Sequence, residues 1–108
     1  MLHGCLSLER GRSFPRETVR DLLGITRALY RAELALDMPL VETRCAHLEE
    51  IGKQYRLALK LAASGPGTMG HRAAWVWAEK ATAALGQFVA GSSDLALMVS
   101  SSAERLTR

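Results

Sequence analysis

Along most of this chain the apolar residues return every third or fourth position, the spacing of a helix that buries one side and wets the other. Leu22, Ile25, Leu29, Ala32 and Leu36 make the first such stripe, with Val19, Leu23 and Tyr30 widening one flank. The pattern predicts a helix that ends near Leu36, with Ser13 as its N-cap and Pro15 in the first turn, where a missing N–H costs nothing. At about 100° per residue the apolar arc covers about half the circumference, enough to face two neighbours.

Pro39 either ends this helix in a tight corner or kinks one much longer helix, since proline lacks a donor and restricts the residue before it. Asp37 is placed to cap the next helix. That second helix is predicted over about 39–63. Val41, Leu48, Ile51, Tyr55, Ala58, Leu59 and Ala62 share its inner face, while Glu42, Glu49, Lys53, Arg56 and Lys60 share its outer one. Acids lead and bases trail on that outer face, which suits the helix dipole. The run Gly65-Pro66-Gly67-Thr68-Met69-Gly70 then cannot continue a helix.

The third helix, about 70–90, is rich in small residues, and its inner face reads Ala74, Trp77, Ala81, Ala84, Phe88, with Ala78 and Leu85 alongside. Small residues let helix backbones approach closely, and the large rings fill what alanine leaves open. After Gly91-Ser92, Ser93 caps a short fourth helix presenting Leu95, Met98, Val99 and Leu106. The fold class is therefore all-α, a compact bundle of three long helices plus a short C-terminal fourth, in one domain over 1–108 with a loosely ordered lead-in through residue 13.

Composition changes this picture little. Charged residues are 23% and the formal net charge is +3, spread so that each third of the chain has one base more than acid. A clustered basic excess, the usual sign of a nucleic-acid binder, is missing. Cys5 and Cys45 are too few for a disulfide framework. Leu2-His3-Gly4-Cys5 has no apolar run before it of the kind a lipoprotein signal needs, and no stretch is apolar enough to span a bilayer. A soluble cytoplasmic protein, with no membrane partner, is expected.

His3, Cys5, Cys45 and His47 are four potential zinc ligands, but in a helix Cys45 and His47 point about 160° apart. No metal site is assigned, and Cys45 is read as half-buried beside a surface His47. Arg16, Arg20, Arg27 and Arg31 fall within an arc of about 60° on the first helix, a ridge that could follow a phosphate backbone or simply be a solvated face. Arg44 points into the apolar side of its helix. A buried guanidinium needs a partner, and Glu33, Glu79 or an anionic ligand could supply it, unless the side chain snorkels past the helix end. His71, Arg72 and Trp75 cluster at the start of the third helix; Trp75 and Val76 point off its inner stripe and read as a partner surface, whereas Trp77 reads as core.

No cofactor motif and no catalytic constellation emerges: the glycines match neither a Walker loop nor a dinucleotide fingerprint, and inward positions are almost all apolar or small. The function expected is therefore a non-catalytic interaction or regulatory module rather than an enzyme. The apolar surplus on the first and third helices predicts self-association as a two-fold dimer, with another protein as a further partner. The alternatives are a nucleic-acid binder using the arginine ridge and a ligand-binding bundle with Arg44 and the tryptophans around a pocket.

Overall fold

The computed structural model describes residues 13–36, 39–65, 68–91 and 93–107. They form four helices, α1 (Arg16–Leu34), α2 (Val41–Ala62), α3 (Met69–Phe88) and α4 (Ser93–Thr107), the all-α bundle the periodicity predicts. The lead-in with His3 and Cys5, the capping expected of Asp37 and of the Ser93 side chain, and Pro66 and Gly67 lie outside the described residues.

α1 begins directly after Pro15, which occupies the N-cap position without a side-chain cap; its carbonyl accepts from Val19 N at 3.0 Å. Ser13 is therefore not the cap: it lies two residues too early. Pro39 makes a corner rather than a kink, since α1 has ended at Leu34 and α2 starts at Val41. Cross-helix contacts fix the direction. Arg16 meets Ala62, Tyr30 meets Glu49 and Glu33 meets Arg44, so numbers rise on α1 as they fall on α2 and the pair is antiparallel.

α2 and α3 are antiparallel by the same test, with Tyr55 against Thr82 and Arg44 against Phe88. The turn between them depends on two glycines. Gly65 takes φ +91°, a conformation that costs other residues a steric clash and that commonly closes a helix C-terminus. A Cβ on Gly70 would stand 2.5 Å from Ser64 Oγ and 2.9 Å from Ser64 Cβ, so only glycine lets α3 start this close to the end of α2. Thr68 caps α3, its Oγ1 accepting from His71 N at 3.0 Å and donating to Gly65 O at 2.8 Å, a cap of the kind that contributes about 1 kcal/mol.

α2 is the middle of the bundle. Leu48, Ile51, Tyr55, Ala58 and Ala62 are withdrawn from water, and the outer charged residues of the prediction are all exposed. The stripes on its two neighbours are rotated from those expected. On α1 the buried positions are Val19, Leu22, Thr26 and Glu33; Ile25 and Leu29 are half-buried, Ala32 is exposed and Leu36 lies beyond the helix. Two polar residues thus sit where the apolar rule sees none. Thr26 is tolerated because its Oγ1 donates to Leu22 O at 2.9 Å. On α3 the inner line is His71, Ala74, Ala78, Ala81, Thr82 and Leu85, continued by Val89. Trp77 is displaced to the flank, half-buried under the Lys80 ammonium, 5.1 Å from the ring centre. The alanines explain the shift: they bring the backbones of α3 and α2 close together, leaving no room for an indole between them.

α4 lies against both α1 and α3 and is longer than predicted, extending to Thr107. Val99, Ser102 and Leu106 are buried and Leu95 is half-buried, but Met98 is half exposed. Three serines in succession offer little apolar area to its seat.

At the centre of the α2–α3 seam the Tyr55 hydroxyl lies 2.8 Å from Thr82 Oγ1, which also donates to Ala78 O at 2.8 Å. Burial pushes the Tyr55 phenol up from 10.0 to about 12, partly opposed by the Thr82 hydrogen bond. The folded state thus favours the protonated phenol. Its contribution is complete below pH 10 and is lost as pH rises through 12, an expected loss of about 2–3 kcal/mol. Comparing urea unfolding of the native protein and Tyr55→Phe across that range should show the extra loss only in the native protein; parallel curves would contradict it.

Candidate functional site

Three places gather polar or aromatic chemistry. At the α1–α2 corner, Arg44 donates from Nε to Glu33 Oε1 at 2.8 Å, with Nη2 2.7 Å from the same oxygen. Of the two carboxylates expected as its partner, the structure selects Glu33. Of the two options open to Arg44, burial or snorkelling past the helix end, the structure has the second: its side chain is 46% exposed, whereas that of Glu33 is 9% exposed. Arg44 lies in the first turn of α2, near the end of the bundle, so its head reaches water while its guanidinium covers the Phe88 ring at 4.3 Å. The Glu33 hydrogen bond raises the Arg44 pKa further. Glu33 Oε2 is buried without a hydrogen-bond partner among the described residues.

Cys45 sits beside this pair and is buried, more deeply than expected. Burial first, then the Glu33 and Glu49 carboxylates, push its thiol above the usual range, which makes it a poor nucleophile at neutral pH. Tyr30 Oη donates to Glu49 Oε1 at 3.1 Å, and that bond is the main reason its phenol is raised as well. His47 is exposed, as expected, with its ring 5.8 Å from that of Phe88. Among the described residues no group of three or more His, Cys, Asp or Glu is arranged to hold a metal ion.

The second place is aromatic. Phe14, immediately before α1, is buried and meets Trp75 edge-on at 5.4 Å; His71 lies 6.2 Å from Phe14 and 6.4 Å from Trp75. Trp75 is thus half-buried against the core and not the outward partner residue expected. Phe14, to which the sequence pattern assigns no role, is the residue that covers it. His71 is 4% exposed, and its Nε2 has no hydrogen-bond partner among the described residues. Val76 is 59% exposed, as expected, and apart from this cluster. Arg44 is at the opposite end of α3 from His71 and Trp75, roughly 25 Å along the helix from Phe88 to His71. The structure therefore does not gather Arg44 and Trp75 around one pocket.

The third place is the pair of grooves along α1. One, about 430 Å³, lies against α2 and is lined by Arg27, Tyr30, Arg31, Glu49, Gly52 and Arg56, among others. The other, about 730 Å³, lies against α4, with Ile25, Ala28, Leu97 and Met98 along it and Arg20, Asp21 and Arg105 beside them. The four arginines of the ridge are all exposed, but the grooves divide them. Arg27 and Arg31 line the first, Arg20 lines the second, and Arg16 donates from Nη2 to Ala62 O at 3.3 Å. Sequence reading missed the contribution of Arg56, which it placed on a solvated face of α2; only the α1–α2 register brings it to the groove.

No family model matches this chain, nor does any curated protein or solved structure. No described helix is long and apolar enough to cross a membrane.

The Glu33–Arg44 pair carries a direct test. Arg44→Ala leaves a buried carboxylate with neither oxygen bonded to that guanidinium and should cost about 2 kcal/mol. Adding Glu33→Leu should restore most of the loss, because an apolar side chain needs no partner there. Urea midpoints at unchanged slope measure both; an unaltered midpoint in the single variant contradicts the assignment.

Proposed function

We propose that this chain is a non-catalytic helical interaction module that associates with a second copy of itself through the face shared by α1 and α4. The observation that carries the reading is the open groove between these helices. Leu97 is 68% exposed and Met98 52%, and both lie along it beside the half-buried Ile25. Contiguous apolar surface of this kind, rimmed by charge, is characteristic of association sites.

The rim supports a two-fold partner in particular. Arg20 and Arg105 stand beside Asp21, and the Asp21–Arg105 pair is a loose 4.0 Å between largely exposed side chains. A surface with both signs close together complements a rotated copy of itself, so the arginines of one chain can meet Asp21 of the other. The dimer thus uses α1, as the periodicity suggests, but α4 in place of α3, because Trp75 is engaged by Phe14. Val76 and Met69, the latter 89% exposed, leave α3 a smaller apolar surface for another protein.

Against a catalytic role stands the use made of most of the buried polar groups, His71 being packed among the Phe14 and Trp75 rings with its Nε2 unpartnered among the described residues. Thr26 bonds its own helix, Tyr55 meets Thr82, and Glu33 holds Arg44. Each serves packing, and none is arranged as a nucleophile with its base. A cytoplasmic setting, with Cys45 kept as a thiol, belongs to the same reading.

Size-exclusion chromatography with light scattering should find twice the 11.8 kDa chain mass at micromolar concentration, and Leu97→Glu should return the protein to a monomer with unchanged far-ultraviolet circular dichroism. A native protein that is monomeric at that concentration, or a Leu97→Glu dimer, would falsify the reading.

A further inference from the structure

The groove between α1 and α2 is separate from the association face, and its chemistry is different. Arg27 and Arg31 enter it from α1 and Arg56 from α2. Arg27 and Arg31 are one helical turn apart, a spacing at which like charges destabilise a helix. No carboxylate among the described residues lies within ion-pair distance of any of the three. The acid that lines the groove, Glu49, is already accepting from Tyr30. Three guanidiniums and one engaged carboxylate leave the groove with a local charge of about +2.

Gly52 lines the floor, where a Cβ would make ordinary van der Waals contact with Arg56 Nη1 at 3.4 Å and Leu23 Cδ1 at 3.8 Å. The groove, about 430 Å³, falls within the range of small-molecule sites.

We propose that this groove binds a small phosphate monoester, with Arg27, Arg31 and Arg56 donating to the phosphoryl oxygens. A phosphate monoester carries about −1.5 to −2 at neutral pH, matching the local charge. The planar fork of each guanidinium suits its tetrahedral oxygens, and the bonds are charge-assisted. A single compact group fits better than a nucleic-acid strand, because the four arginines of the ridge do not share one groove. Arg16 is bonded to Ala62 O at one end, and Arg20 lies with Asp21 in the other groove. Ligand and second copy use different grooves along α1, so either proposal can fail without the other.

The test is an NMR titration of the full chain with glucose 6-phosphate, following backbone amides and arginine Nε signals at low ionic strength, with glucose and a short DNA duplex as parallel arms. The expected result is saturable shifts confined to Arg27, Arg31, Arg56 and the Gly52 amide, with glucose silent. Arg31→Ala and Arg56→Ala should each weaken binding about tenfold while leaving the folded amide spectrum otherwise intact. Both positions are exposed, and they lie on different helices, so the two variants check one another. Non-saturating shifts spread over all arginines would overturn the proposal, as would binding unchanged in both variants. Saturable duplex shifts extending through Arg16 and Arg20 would overturn it in favour of a polymer track.

Discussion

The bundle depends on the seam where α2 is enclosed by α1 and α3. Leu48, Ile51 and Tyr55 are its large members and Ala58 and Ala62 its small ones, and all are essentially dry. Burying each large side chain contributes about 1.5–3 kcal/mol before the entropy of ordering it is subtracted. The alanines of α3 set the distance: with Ala74, Ala78 and Ala81 facing α2, the helices close until Tyr55 reaches Thr82. Glycine allows the same approach at the turn, where Gly70 starts α3 against Ser64. Apart from His71 and Leu85, the bulky residues of α3, Trp75, Trp77 and Phe88 among them, are then displaced to its flanks.

The surface chemistry is set by that closure. Once α2 and α3 are tightly joined, α1 covers the other side of α2, and the fourth helix must seat on what α1 and α3 leave. It does so through few large residues, so a groove remains on its α1 side with Leu97 and Met98 along it. Another side of α1 faces the charged flank of α2, where three arginines meet around Gly52. One helix therefore separates an apolar, mixed-charge face from a strongly basic one.

Helix number, order and approximate ends were legible in the sequence, because Pro39 and the Gly65–Gly70 run break the periodicity and the stripes between them are regular. The inner face of α2 was legible nearly residue by residue, since it is apolar inside and charged outside. The faces of α1 and α3 were not. On α1 the core line includes Thr26 and Glu33, and hydropathy cannot see that a threonine bonded to its own helix, or a glutamate bonded to Arg44, is tolerable in the interior. On α3 nearly every side of the helix carries alanine, so the two tryptophans dominated the reading, although size rather than hydropathy decides what fits against α2. Trp75 was misplaced for want of one contact, the Phe14 ring, from a segment with no periodicity of its own. The candidate sites were legible only in halves. The arginines of α1 and the anomaly of Arg44 stood out, yet Arg56, Gly52 and Arg105 join their sites through the packing of one helix on another.

Native-state hydrogen exchange tests the central seam most directly, because it reads the opening free energy of each helix separately. If α2 enclosed by α1 and α3 is the structural centre, the slowest amides are those around Ile51–Ala58 in α2 and Ala74–Leu85 in α3, exchanging together and only through global unfolding. Amides of α4 then exchange about tenfold faster or more. A slowest set located in α4, with the α2 amides opening ahead of it, would contradict the account.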